Sequence, residues 1–156
     1  MGDDKLITTL IQEDTFLKDV VCGSWEELVD IAGNLLVQKG LVEMEYLQSI
    51  KDAVEKFGAY MVLVEDVAFF HGRPEAGVHK MGMSLALLKT PVYLLDKRVK
   101  AAFVFAAVDN NSHLELLQEL AFVLENEEFL TLLRDGGDQN AIMGKFKEAE
   151  GKHEIS

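Results

Sequence analysis

The sequence predicts an α/β fold, a mixed β-sheet flanked by helices on both faces in a single domain. Three observations predict it. Apolar runs such as Val67 to Phe70 and Val99 to Val108, the latter interrupted only by Lys100, read as strands buried on both sides. Apolar stripes at helical spacing, bounded by caps and glycines, lie before and after those runs. The 156 residues carry no internal repeat and no low-complexity linker, so one layered core accounts for them. The domain is expected over residues 1–148, with a polar C-terminal tail at 149–156 that frays.

Taken in order, Leu6 to Ile11 is a short apolar stretch that suits a strand or a helical turn. Ser24 is an N-cap, and Glu27 three residues later completes a capping box. Leu28, Ile31, Leu35 and Leu36 form the stripe of the first helix, which Gly40 ends. A second helix runs from Glu43 to Lys56 with Tyr46, Leu47, Ile50 and Val54 on one face, and Gly58 stops it. Tyr60 to Val64 and Val67 to Phe70 are strands joined tightly through Glu65-Asp66. Met81 to Leu88 is a further strand, after which Pro91 and Asp96-Lys97-Arg98 break the chain. Val99 to Val108 is the longest strand and runs into Asp109-Asn110-Asn111-Ser112, a loop and cap signal. A helix from about His113 follows, with Leu114, Leu117, Leu120, Ala121 and Leu124 buried. Glu127 to Leu133 is a shorter helix, and Asp138 caps a last one through Ile142 and Phe146.

The composition is 49% hydrophobic and 27% charged, that of a globular protein. With 27 Asp+Glu against 15 Lys+Arg, a formal charge of −12 argues against nucleic acid and against an anionic membrane surface. It permits a basic protein partner, and it equally serves solubility alone. One cysteine, Cys22, cannot form an internal disulfide, which fits a reducing cytoplasm. The polar start Met1 to Lys5 gives no secretory signal, and no run is long enough to cross a bilayer.

Four histidines are the candidates for chemistry. His153 lies in the polar tail and His79 in the loop from Pro74 to Lys80, so both read as surface residues. His71 closes the run Val67-Ala68-Phe69-Phe70 just before Gly72-Arg73-Pro74, and His113 stands at a loop-to-helix junction. If their strands are parallel neighbours, both junctions share one sheet edge, where open α/β sheets place their sites. Taken alone, a structural or surface role is the commoner one for either histidine. No zinc motif, cysteine pair or carboxylate cluster at ligand spacing is present, so no metal is expected. No phosphate-binding glycine loop and no nucleophile elbow occurs, and no cofactor is expected. A histidine acting as the nucleophile survives this survey, in chemistry that suits a phosphoryl relay better than hydrolysis.

The segment Glu65-Asp66-Val67-Ala68-Phe69-Phe70-His71-Gly72-Arg73-Pro74-Glu75 resembles the active-site segment of enzyme IIA components of the bacterial sugar phosphotransferase system. The class is the mannitol/fructose one, particularly its ascorbate-type branch. Gly77 to Leu85 and Leu88 to Val92 continue the likeness in register. Asp109-Asn110-Asn111-Ser112-His113-Leu114-Glu115-Leu116-Leu117 is similar to the family's second histidine segment, and Leu120 to Leu133 to its following helices. The likeness spans about residues 5 to 148. Phe70 stands where the family has proline, and Val54 where the mannitol branch has arginine.

The resemblance implies a phosphocarrier. His71 would accept a phosphoryl group on Nε2 from the phosphocarrier protein HPr and pass it to a cysteine of a IIB component, during ascorbate-type or pentitol uptake. A membrane IIC component would be a partner only indirectly. His113 would lie beside His71 and support the phosphoryl group. Glu65 would orient an imidazole, although a solvated turn carboxylate reads at least as well. Arg73 would neutralise phosphoryl oxygens, and a plain surface arginine reads equally well. Protein partners imply a shallow site with exposed apolar residues around it, for which Phe69, Phe70 and Val78 are candidates. The alternatives are a regulatory IIA-like protein and a binding module that carries no phosphate. Oligomeric state is left open, since Leu114, Leu117 and Leu120 could serve a dimer as well as a core.

Overall fold

The computed structural model describes residues 10–155, with side chains described for all but 110–113 and 149–155. Leu6 to Thr9 of the first apolar stretch thus lie outside the described residues. The elements are β1 (Phe16–Val20), α1 (Trp25–Gln38), α2 (Met44–Phe57), β2 (Val62–Val64), β3 (Asp66–His71), β4 (Gly82–Leu94), β5 (Lys97–Ala106), α3 (Asn110–Val123), α4 (Glu127–Asp135) and α5 (Gln139–Ile155). Among the described residues no helix is long and apolar enough to cross a membrane.

The five strands form one mixed sheet in the order β1-β4-β5-β3-β2. β1 pairs parallel with β4 and β3 parallel with β5, while β4–β5 and β2–β3 are antiparallel. Strand alternation sends successive side chains to opposite faces. Ala68, Phe70, Ala102 and Val104 pack under α1 and α2. Val67, Phe69, Ala101, Phe103 and Phe105 pack under α3, α4 and α5. Both faces are therefore apolar, which is why these strands read as hydrophobic runs.

Ser24 caps α1 by accepting from Glu27 N at 3.2 Å. The returning Glu27 carboxylate accepts from Gly23 N at 2.7 Å, one residue before the position a capping box uses. The buried face of α1 is Leu28, Val29, Ala32 and Leu36, with Ile31 and Leu35 only half-buried. On α3 the buried stripe is Leu116, Leu120 and Val123, continued by Leu124, while Leu114 and Ala121 face out. Leucines stand on both sides of this helix, so spacing alone left its phase ambiguous. The last helix keeps its backbone geometry through Ile155, past the point where the polar tail was expected to fray. Asp138 caps it by accepting from Ala141 N.

Pro91 does not end β4. The β4–β5 register shifts between Leu87 and Val92, and the proline falls in that irregular stretch, where its missing N–H breaks no rung. The break comes at Leu95, whose φ of 59° is left-handed, and Lys97 and Arg98 already belong to β5.

At this same end of the sheet, Asp66 opens β3 with a φ of 75° and is 1% exposed. Arg98 of β5 grips its carboxylate with two hydrogen bonds of 2.6 and 2.9 Å. Arg134 of α4 donates to the same carboxylate at 3.1 Å and to Glu65 O at 3.1 Å. The Arg98 hydrogen bonds hold the Asp66 carboxyl below the ordinary carboxylate range, against the opposing effect of burial, and Arg134 adds to them.

Candidate active site

His71 is the last residue of β3 and pairs across to Phe105 of β5. Because β3 and β5 are parallel, both end at the same sheet edge. The chain leaving β5 starts α3 at Asn110, so His113 falls in the first turn of a helix that springs from that edge. The His113 side chain lies outside the described residues. The His71 ring is half-buried. It meets Phe69 at 5.8 Å between centroids and Tyr60 edge-to-face at 5.9 Å. Beside it lies an open groove of about 290 Å³, lined by Ala53, Phe57, Tyr60, His71, Arg73 and Pro74 with Gly72.

Gly72 is where strand becomes loop, and its lack of a side chain lets α2 approach. A Cβ there would lie 2.2 Å from Ser49 Oγ and 3.2 Å from Ile50 N. The Tyr46 hydroxyl accepts from Gly72 N at 2.9 Å and donates to Phe105 O at 2.5 Å. Ser49 Oγ donates to Tyr46 O at 2.7 Å and accepts from Arg73 N at 3.3 Å. Gly72→Ala is therefore expected to destabilise the protein by about 2 kcal/mol through overpacking. Adding Ser49→Ala should recover part of that loss, so urea unfolding of the pair gives less than the sum of the single losses.

Arg73 reaches into solvent, where its Nε stands 3.5 Å from Glu75 Oε2. The loop beyond is pinned to the α1–α2 connection by the Val42–Val78 bridge and by His79 Nε2 against Glu43 Oε2 at 2.5 Å. His79 is exposed, as a surface histidine should be.

Of the expected site residues, His71 and Arg73 come together. Glu65 does not: it sits in the β2–β3 turn, at the opposite end of β3 from His71. Six extended residues place about 20 Å between them, so the expected contact with the imidazole is corrected. Phe69 and Phe70 are fully buried on opposite faces of the sheet and offer no docking surface. Ser84 is likewise buried, and its hydroxyl donates to Ala32 O at 2.7 Å. Val54 is fully buried in the α2 core face.

Tyr46, Ser49, Phe57 and Tyr60 are neighbours of the site that sequence reasoning did not find. Tyr46 carried only a core signal. Phe57 continues the Leu47–Ile50–Val54 spacing, yet it is 62% exposed. It stacks edge-to-face on Tyr60 at 6.0 Å, so the two rings extend the wall of the groove into solvent. Two large aromatics around a helix-stopping glycine, Gly58, were the available signal.

The model of the family described as "Phosphoenolpyruvate-dependent sugar phosphotransferase system, EIIA 2" matches residues 9–149. The ascorbate-specific PTS system EIIA component of Escherichia coli K12 is 37% identical over 134 residues, covering 83% of this chain and 87% of its own. The mannitol-specific cryptic phosphotransferase enzyme IIA of Escherichia coli superposes with a TM-score of 0.69 at 29% identity, over 94% of this chain and 95% of its own. Enzyme IIA of mannitol from Escherichia coli, in its complex with phosphorylated IIB, gives a TM-score of 0.77 at 23% identity, over 89% and 99% of the two chains. The chain thus belongs to the EIIA 2 family, and is an EIIA component of the phosphoenolpyruvate-dependent sugar phosphotransferase system.

Proposed function

We propose that the protein is a cytoplasmic phosphocarrier that takes a phosphoryl group from HPr on His71 and gives it to a cysteine of a IIB component, serving uptake of an ascorbate-type carbohydrate. The observation that carries this reading is the placement of His71: a half-buried imidazole on the rigid end of a central strand, opening on a groove with Arg73 on its rim. The family match and the ascorbate-specific relatives support it.

In this reading the Nε2 lone pair of His71 attacks the phosphorus of phosphorylated HPr, and the phosphorus–nitrogen bond to the HPr imidazole breaks. In the second transfer a thiolate of IIB attacks the phosphorus, and the bond to Nε2 breaks. The protein's task is alignment and charge stabilisation, which is most of what phosphoryl transfer requires. Arg73 supplies a guanidinium two residues from the acceptor. His113, in the helical turn at the same sheet edge, is the proposed second histidine that supports the phosphoryl oxygens. The groove is open and carries Phe57 and Tyr60 as exposed aromatics, which suits a protein partner better than an enclosed small substrate. The superposing mannitol enzyme IIA is itself seen with phosphorylated IIB.

The test is incubation of the wild type with phosphoenolpyruvate, enzyme I and HPr, followed by intact mass. One added phosphoryl group, lost again on adding the cognate IIB, is expected. No added phosphate under conditions that load a known IIA would overturn the carrier reading in favour of a module that only binds its partner.

A further inference from the structure

The buried residues of α2 are Tyr46, Leu47, Ser49, Ile50 and Val54, and of these five only Tyr46 and Ser49 bring a polar side-chain atom. Tyr46 is 1% exposed, and a phenylalanine would fill the same space. What the hydroxyl adds is two hydrogen bonds, and both end beside His71. One goes to the N–H of Gly72, the next residue in the chain, and the other to the carbonyl of Phe105, the cross-strand partner of His71. Ser49, one turn further along α2 and 2% exposed, takes the following N–H, that of Arg73. The main chain on either side of the imidazole is therefore fastened to one helix by two buried hydroxyls. A carrier histidine must present one nitrogen along a narrow line of attack, and a displacement of about 1 Å can cost on the order of 100-fold in rate.

We propose that Tyr46, assisted by Ser49, is a positioning residue for His71: its hydroxyl joins the ends of β3 and β5 and so fixes the direction in which the imidazole meets the phosphoryl group. This rests on the phosphocarrier reading. Burial pushes the Tyr46 hydroxyl up to about 12, with the Gly72 N–H opposing, so it stays protonated and keeps donating to Phe105 O at any working pH.

The experiment compares wild type with Tyr46→Phe, which removes the hydroxyl and keeps the ring. Phosphoryl acceptance is followed against HPr concentration, and the His71 ring nitrogens are followed by 15N NMR. A fall of about tenfold in kcat with KM unchanged is expected, because Phe57 and Tyr60 still offer the docking surface. The 15N shifts of His71 should move as its tautomer balance changes. If the thermal midpoint falls but kcat and the His71 shifts match wild type, the hydroxyl is structural only and the proposal is overturned. Should Tyr46→Phe not fold, Ser49→Ala decides instead: a smaller fall in kcat with shifted His71 nitrogens supports it, and unchanged values overturn it. A wild type that takes no phosphate overturns the carrier reading, whereas a loaded wild type with unaffected variants overturns only the positioning role of Tyr46.

Discussion

His71→Ala is expected to abolish phosphoryl acceptance, a loss of more than about 10³-fold, because the variant lacks the proposed nucleophile at this strand end. Fold should survive. The ring is half-buried, and the strand it ends is held by the β5 ladder and by the Gly72 and Arg73 bonds to α2, none of which uses the imidazole. Circular dichroism and thermal unfolding of the variant should therefore track wild type while intact mass shows no added phosphate. His79→Ala is the matching control. That ring is exposed and engaged with Glu43 in the loop beyond the site, so its variant should load as wild type does. His113→Ala should keep the acceptor and lose its support, slowing acceptance about 10- to 100-fold and changing the lifetime of the phosphohistidine. Loading of His71→Ala to the wild-type mass would move the acceptor elsewhere and remove the basis of the mechanism.

Asp66→Ala is expected to cost about 4 kcal/mol. Removing one member of a buried ion pair costs about 3–5 kcal/mol, and alanine tolerates the left-handed backbone at this position less well than aspartate. For a chain of this size the thermal midpoint should fall by about 8–16 °C. The two arginines left behind are 48% and 30% exposed and can hydrate, which limits the loss. Asp66→Asn keeps a side chain suited to the left-handed region and isolates the charge. The folded carboxyl lies below its ordinary value, so its contribution is complete above the unfolded value of about 3.9 and is lost as pH falls toward the folded one. The stability gap between wild type and Asp66→Asn should thus be constant from about pH 7 to pH 5 and close below about pH 4. A gap that widened on acidification would show that the carboxylate is not held by Arg98 and Arg134. Phosphoryl acceptance by the folded variant should change little, since this cluster lies at the far end of β3 from His71.

The layers of the fold were legible because burial on both faces leaves a plain mark. Val67 to Phe70 and Val99 to Val108 show no alternation of polar with apolar residues, and a sheet covered by helices on both faces explains such runs. Pro91 misled because a proline stops a strand only where its N–H is needed, and a register shift is a feature of pairing, not of sequence. Leu95 gave no sign of a turn because a leucine with positive φ is imposed by the flanking ladder. The strand-end placement of His71 was legible through the abrupt end of an apolar run, and the helix-start placement of His113 through the loop and cap residues before it. The supports of His71 were not. Tyr46 and Ser49 reach Gly72 and Arg73 across 26 and 24 residues, and only the packing of α2 on the sheet brings them there. Glu65 failed for the opposite reason: six residues is close in sequence but spans a whole strand.

One outer strand of the sheet bears on solution behaviour. Among the described residues β1 pairs only with β4, and its register slips between Leu17 and Val20 around Lys18 and Asp19, the latter with a φ of 59°. A bulged margin that carries both signs of charge is a poor template for another chain. In the proposed carrier role, in which one partner is met, released and exchanged for the next, such a border discourages strand-by-strand aggregation.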